Sequence, residues 1–259
     1  MQLVDSHCHL DLLDLSEYQG DLSRAVAFAA EQGVSHFLCP GVTLSDFPLQ
    51  LKTIDPFPNM YTAVGLHPNE TVETEPDVDT LVDLLNTPRV IAVGETGLDY
   101  YRLKGDSAPQ QARFRTAIRA AIRTDKPLIV HSRQAREDTI RLLREENADS
   151  VRGILHCFTE DLAMAEAAIE LGFYISFSGI VTFSNAKEIQ AVAKTIPLES
   201  MLIETDAPWL APVPFRGRTN QPAYVHYVAE CIATLRDIPV EQVAEQTTQN
   251  FMQLFKLEA

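Results

Sequence analysis

The sequence predicts an α/β protein folded as a closed (β/α)8 TIM barrel. Short apolar runs rich in Val and Ile alternate with longer amphipathic stretches along the chain. Strict alternation of strands and helices implies that neighbouring strands pair in parallel. Eight such units at roughly 30 residues each need about 240 residues, and the chain has 259. An open, doubly wound sheet is the alternative arrangement.

Each predicted element follows from its own pattern. The strands are apolar runs that end at polar residues, and they cover 2–7, 36–40, 61–66, 90–95, 127–131, 153–157, 173–177 and 201–205. Apolar residues at helical spacing predict helices near 21–32, 44–53, 77–86, 108–124, 135–146, 161–171, 185–195 and 222–236, with a last helix near 240–255. The Pro-rich stretch 208–222 is predicted to be a loop after the eighth strand. Residues 1–259 are therefore predicted to form a single domain.

The amino-acid composition limits the kinds of partner that the protein can bind and indicates its cellular compartment. The chain has 21 Lys and Arg against 36 Asp and Glu, a formal net charge of −15. This charge argues against the cationic surface that coats duplex DNA or anionic lipid, although a local patch or a bound metal can still dominate a site. No apolar stretch reaches the roughly 18 residues of a membrane span, and no signal segment begins the chain. The four cysteines form no CxxC pair, so we expect a protein of the reducing cytoplasm.

Most of the polar residues that could carry chemistry follow a predicted strand directly. They are His7, His9, His67, Glu95, His131, His156 and Asp206. In a barrel, the carboxyl ends of the strands form the active-site face. Burying unpaired polar and charged groups there is costly, and a shared metal would give all of them a partner.

The spacing of these residues suits two cations. His7 and His9 lie two apart, which points both rings to one side of a strand, although such a pair is equally typical of core histidines. Glu95 has two oxygens and can bridge two cations about 3.5–4 Å apart. His131 and His156 follow adjacent strands and suit a second metal, while Asp206 can ligate or accept a proton. Together they are enough for a two-metal site with open positions.

Residues nearby could contact a substrate. Arg133 follows His131 by two residues, and its guanidinium matches phosphate oxygens, although an inter-loop salt bridge is equally plausible. His67 could donate to a phosphate or a leaving group, or could hold a neighbouring carboxylate. Aromatic residues of the same loops, Trp209 among them, could stack on bases or simply pack the loops.

Several segments together resemble the TatD family of metal-dependent deoxyribonucleases, which is related to the amidohydrolases. They are VDSHCHLD (4–11), VGLHP (64–68), VGETGLDYY (93–101), PLIVHSRQAREDT (127–139), HCFT (156–159) and ETDAPWL (204–210). The resemblance implies a first metal on His7, His9, Glu95 and Asp206, and a second on Glu95, His131 and His156. The family pattern Arg-Asn-x-Pro is replaced here by Thr219-Asn220-Gln221-Pro222, so Arg216 or Arg218 would have to replace the missing arginine.

The sequence thus favours a divalent-metal-dependent hydrolase of phosphodiester bonds, in which a metal-activated water attacks phosphorus and Asp206 takes up the proton. Mg, Mn, Zn, Ni and Fe all suit the ligands. The resemblance implies 3′→5′ exonuclease action on DNA, with RNA as a further candidate substrate, and the net charge favours single-stranded or frayed 3′ ends. Two alternatives stay open: an amidohydrolase-like enzyme acting on a small ester, lactone or amide, and a metal-binding protein without activity.

Overall fold

Eight parallel strands follow one another in chain order around one sheet in the computed structural model, which describes residues 1–257. The strands are β1 Leu3–Asp5, β2 Val34–Cys39, β3 Met60–Val64, β4 Val90–Asp99, β5 Leu128–Arg133, β6 Gly153–Leu155, β7 Phe173–Phe177 and β8 Met201–Ile203. The helices are α1 Leu22–Glu31, α2 Phe47–Ile54, α3 Val78–Leu85, α4 Ala108–Thr124, α5 Arg136–Glu145, α6 Leu162–Glu170, α7 Lys187–Thr195, α8 Val225–Arg236 and α9 Val240–Phe255. Every predicted strand and helix is present, and the ends are displaced by no more than about four residues, within the usual uncertainty of sequence-based boundaries.

The sheet closes on itself between the first and the last strand. The amide of Ser6 donates to the carbonyl of Ile203 at 3.2 Å, and the amide of Asp206 donates to the carbonyl of His7 at 2.9 Å. Buried Asp5 strengthens this seam by accepting hydrogen bonds from the amide and the hydroxyl of Thr205, at 2.9 and 2.6 Å. Closure confirms the TIM barrel and excludes the open sheet.

An apolar layer fills the inside of the barrel. Each strand contributes one side chain to it: Val4, Leu38, Ala63, Ala92, Ile129, Ile154, Tyr174 and Leu202. Phe251 and Phe255 of α9 pack against this layer, and Asn250 donates to the carbonyls of Leu198 and Met201 at the start of β8. Helix α9 therefore covers the amino-terminal end of the barrel and leaves the carboxyl end for the site.

Strand β4 is the one strand that runs well beyond its predicted end. It continues through Glu95 to Asp99 and pairs with β5 across a register shift, with Gly97 opposite His131 and Asp99 opposite Arg133. Gly97 has a φ of +131°, and a Cβ there would collide with the carbonyl oxygen of His131. Glycine lets the two strands stay in contact as far as the rim, which carries Asp99 to the side of His131.

Within residues 1–257, none of the helices combines the length and the apolar character that crossing a bilayer requires. The extent of the single domain, 1–259, stays a prediction, and its last two residues, Glu258 and Ala259, lie outside the described part of the chain.

Candidate metal centre

A cavity of about 700 Å³ opens at the carboxyl end of the barrel. Its walls include His9, Glu95, His131, His156, Asp206 and Trp209. His131 lies near the end of β5, His9, His156 and Asp206 lie in the segments that follow β1, β6 and β8, Trp209 lies in the loop after β8, and Glu95 lies in the second half of β4. The structure therefore brings the predicted residues to one rim, as the barrel topology requires.

Glu95 lies at the centre of the polar cluster. Its Oε1 is 2.9 Å from Nε2 of His156, 3.1 Å from Nδ1 of His131 and 3.4 Å from Nε2 of His67. Its Oε2 faces the other way, 3.5 Å from Nε2 of His7. The two oxygens of one buried carboxylate thus face two different groups of imidazoles.

The first group consists of His7, His9 and Asp206. The two Nε2 atoms are 3.3 Å apart, and Oδ1 of Asp206 is 3.8 Å from the first and 3.5 Å from the second. Asp206 is the more accessible carboxylate, since its side chain is 15% exposed against 5% for Glu95. Ligand atoms of His7, His9 and Glu95 all lie within 4.8 Å of one another.

On the other side of Glu95, His131 and His156 each have a further carboxylate beside the ring. Oδ2 of Asp99 is 3.2 Å from Nε2 of His131, on the side of the ring away from Glu95. Oε1 of Glu204 is 3.5 Å from Nδ1 of His156 and accepts a hydrogen bond from the amide of Cys157 at 2.8 Å. Such carboxylates fix the tautomer and the orientation of a ring whose other nitrogen binds a metal. The sequence prediction missed both Asp99 and Glu204.

The charges of the cluster shift its pKa values strongly. Burial favours the neutral form of Glu95, but the imidazoles of His156 and His67 outweigh it and hold the pKa of Glu95 well below its usual range. Burial likewise opposes a charge on His156, yet Glu95 and Glu204 raise the pKa of His156 well above 6.5. The rings of His7 and His156 are stacked 3.9 Å apart, and burial, reinforced by the charge of His156, lowers the pKa of His7. Among these neighbours of Glu95, positive charge is therefore stabilised on His156 and disfavoured on His7.

His67 has a defined tautomer. Its Nδ1 accepts a hydrogen bond from the amide of Asn69 at 3.2 Å, so in the neutral ring the proton lies on Nε2. Burial lowers the pKa of His67 to about 4, which keeps the ring neutral at pH 7. The Nε2–H group points toward Glu95, so this ring is a hydrogen-bond donor in the cavity.

Two arginines contribute little to the cavity. Arg216 lies over the ring of Phe183 at 4.3 Å, Arg218 is exposed, and neither is among the residues that line the cavity. Arg133 does line the cavity, and its guanidinium stacks on the ring of Tyr101 at 3.9 Å. Arg133 therefore lies in the cavity wall, as Arg102 also does.

Comparisons with known proteins agree with this geometry. The family model described as TatD related DNase matches residues 4–256. The chain is 45% identical over 260 residues to YcfH of Escherichia coli (strain K12), an uncharacterized metal-dependent hydrolase, and the match covers 100% of this chain and 97% of YcfH. It is 32% identical over 248 residues to the 3′-5′ ssDNA/RNA exonuclease TatD of Edwardsiella piscicida, covering 93% and 95% of the two chains. The crystal structure of YJJV, a TatD homologue from Escherichia coli K12, superimposes with a TM-score of 0.87 at 29% identity, covering 99% of this chain and 98% of that one.

Proposed function

Because the chain belongs to the TatD family of metal-dependent hydrolases, we propose that it removes nucleotides from the 3′ ends of DNA by hydrolysing phosphodiester bonds. The exonuclease named among its relatives supports this direction and extends the candidate substrates to RNA. We propose a cytoplasmic location, which suits the four free cysteines. The observation that carries the proposal is the position of Glu95, whose two oxygens face two groups of imidazoles.

We infer that the site would hold two divalent cations, with Glu95 among the residues that hold each of them. The first would be held by His7, His9, Glu95 and Asp206, and the second by Glu95, His131 and His156. The residues fit such ions, since ligand atoms of His7, His9 and Glu95 converge within 4.8 Å of one another, and buried polar and charged groups packed this closely need a shared partner. Imidazole nitrogens and carboxylate oxygens suit Mn, Fe, Ni and Zn, and the carboxylates also suit Mg.

Divalent cations held here would supply Lewis acidity toward a phosphodiester and a water of lowered pKa. The chain's own residues would then orient the substrate and move protons. Asp206 is the carboxylate of the cluster most open to the cavity, so its Oδ1 would accept the proton of the attacking water. The neutral ring of His67 would donate its Nε2–H to a phosphate oxygen or to the leaving 3′-oxygen.

Arg133 completes the proposed phosphate site. A guanidinium stacked on an aromatic ring keeps its N–H donors directed in its own plane, and this one lines the cavity. Those donors would hold the non-bridging oxygens of the phosphate. Arg133 lies in the wall of the cavity, so the divalent cations proposed for its centre would supply most of the attraction for the phosphate.

A specific feature counts against the amidohydrolase-like alternative. Many amidohydrolases carry a carbamylated lysine at a strand end beside their metals. Here Glu95 occupies the centre of the cluster, while Lys126 donates to the carbonyls of Leu85 and Val90, before β5 begins. Lys126 is thus at the opposite end of the barrel from the cavity.

End-labelled oligonucleotides test the proposal. The chelator-treated protein, with Mg²⁺ or Mn²⁺ added back, should shorten a 5′-labelled single strand one nucleotide at a time and should release the label of a 3′-labelled strand at once. Glu95→Gln should lose the activity, while Glu166→Gln, on the exposed face of α6, should keep it. Turnover of lactones or amides with no cleavage of any oligonucleotide would refute the proposal.

A further inference from the structure

Trp209 lies at the rim of the cavity with half of its surface uncovered. It is the one tryptophan of the chain, and 49% of its surface is exposed although it lines the cavity. Its ring centroid is 4.9 Å from that of His9, with the planes 69° apart. The indole therefore meets this histidine without stacking on it, and a large apolar surface remains beside the metal centre.

The other aromatic side chains of the rim are already engaged. Phe215 stacks on Tyr224 at 4.1 Å, the ring of Tyr101 is covered by the guanidinium of Arg133, and the hydroxyl of Tyr100 donates to Asp138 at 2.6 Å. For these three residues the structure therefore shows loop packing, one of the two roles that the sequence analysis allowed for the aromatic residues. Trp209 differs from them because, among residues 1–257, neither a ring nor a cation is stacked on its indole; Tyr101 is also exposed, but the guanidinium of Arg133 lies over its ring.

The loop holds Trp209 in place. Asn220 is buried, and its side-chain amide donates to the carbonyl of Trp209 at 2.6 Å and to that of Thr205 at 2.8 Å. Its own backbone amide donates to the carbonyl of Pro208 at 2.9 Å. The amide of Trp209 also donates to the carbonyl of Asp206 at 2.9 Å. The backbone of Trp209 is thus fixed beside the strand end that carries Asp206, which places the indole at the rim.

The charges around the cavity are consistent with binding of a nucleic-acid strand by an uncharged stacking contact. Arg102 and Arg133 are the cationic side chains of the cavity wall, and Glu70 and Asp99 lie in the same wall. With a net charge of −15, phosphate contacts at the rim are few, so affinity for a strand needs another source. Stacking of a base on an aromatic ring is uncharged and tolerates every base.

We propose that Trp209 is the platform on which the 3′-terminal base stacks while its phosphate lies at the metal centre. The proposal rests on the function proposed above. It makes Trp209 a residue that favours single-stranded ends, because a terminal base held in a pair cannot turn away from its partner strand to reach the indole while its phosphate enters the cavity. Any base is accepted, since the ring offers no hydrogen-bond pattern to read.

A comparison of two substrates, with and without a base at the 3′ end, distinguishes base stacking on Trp209 from other effects of its side chain. One is a 5′-labelled oligothymidylate, and the other is the same strand with a tetrahydrofuran abasic residue at its 3′ end. We expect Trp209→Ala to lower kcat/KM on the first strand by about 10- to 100-fold and to change it little on the abasic strand. Trp209→Phe should restore most of the loss. Leu49→Ala, an exposed apolar residue of α2, is the matched control and should behave as the native protein does on both strands.

The fluorescence of Trp209, the single tryptophan of the chain, provides a direct measurement of binding. Its fluorescence should be quenched when oligothymidylate is titrated into the metal-loaded protein, and the abasic strand should quench it much less. Equal loss of activity on both strands in Trp209→Ala, or cleavage of oligothymidylate without quenching, would overturn the role of Trp209 and leave the nuclease function intact. Neither cleavage nor quenching by the native protein would overturn both.

Discussion

Oδ2 of Asp99 lies 3.2 Å from Nε2 of His131, and the opposite nitrogen of the same ring lies 3.1 Å from Oε1 of Glu95. The ring of His131 therefore lies between the carboxylate of Glu95, at the centre of the cluster, and the carboxylate of Asp99, at its edge. Asp99 is itself held by the side-chain amide of Asn69 at 2.7 Å and by the backbone amide of Arg102 at 3.0 Å. The ring of His131 is thus oriented by a carboxylate that is already fixed in place.

Asp99→Asn should lower metal affinity or activity by about 10- to 100-fold, the usual effect of losing a carboxylate behind a ligating histidine. The amide keeps the shape of the side chain but no longer supports the basicity of the ring. Bound metal after desalting and kcat/KM on an oligonucleotide measure the effect. Asp83→Asn, exposed on α3, is the control. Full metal content and full activity in Asp99→Asn would show that the contact does not support the site.

The salt dependence of binding should be shallow. Two arginines line the cavity, and each phosphate contact on a single strand contributes a slope of about −0.7, which predicts a slope of about −1.4 for log K against log salt. Fluorescence titrations between low and moderate salt would measure it. A slope of about −4 or steeper would mean that the strand crosses a basic surface that these residues do not form.

Asn220→Ala should destabilise the loop after β8. The substitution leaves the buried carbonyls of Thr205 and Trp209 without their donor, a loss of about 1–3 kcal/mol. The free energy of unfolding, from urea titration, measures this loss. Asn185→Ala, an exposed residue, should change the same quantity by less than about 0.5 kcal/mol. Equal stability of the two variants would rule out Asn220 as the anchor of the loop.

Helices α4 and α5 are joined by ion pairs that should affect stability and not activity. Glu146 accepts from Arg115 at 2.6 Å and from Arg119 at 2.8 Å, and the hydrogen bond from Arg119 is the main reason that the pKa of Glu146 is lowered. A lowered carboxylate pKa contributes stability above the unfolded pKa, and this contribution is lost as the pH falls through the folded pKa. Glu146→Gln should therefore cost about 0.5–1 kcal/mol at pH 7 and progressively less below pH 4.

Thermal unfolding of the native protein and of Glu146→Gln at pH 7 and at pH 3.5 checks this expectation. The difference between the two proteins should shrink at the lower pH, and the nuclease activity at pH 7 should be the same. A pH-independent difference would assign the effect to packing instead of charge.

The fold and the centre of the site follow from local patterns in the sequence. Each strand is an apolar run that stops at a polar residue, and parallel strands place all their carboxyl ends on one face. This is why His7, His131 and Glu95, far apart in the chain, can be assigned to one rim from the sequence alone.

The outer carboxylates could not be found in this way. The glycines on both sides of Glu95 indicate a turn, so the predicted β4 ended at residue 95, whereas the strand continues past a register shift to Asp99. Which carboxylate lies behind which histidine depends on that pairing between β4 and β5, and no local pattern encodes it. Glu204 directly follows an apolar strand, so its position was readable, but its contact with His156 depends on the closure of the barrel.

The tautomer of His67 and the exposure of Trp209 also depend on tertiary structure. The first is set by the amide of Asn69, and the second by the loop that Asn220 fixes. A sequence shows that an aromatic residue lies in a loop at the site face, but only the packing of that loop shows whether its surface is covered.

Metal stoichiometry tests the central claim, that Glu95 joins two cation sites. The protein is treated with chelator, reloaded with excess Mn²⁺, desalted and analysed by plasma emission, with Glu95→Gln and Glu166→Gln treated in parallel. The account predicts two Mn²⁺ per chain in the native protein and in Glu166→Gln, and fewer than one in Glu95→Gln. A native protein that stays free of metal after loading, or a Glu95→Gln variant that retains both ions, would contradict it.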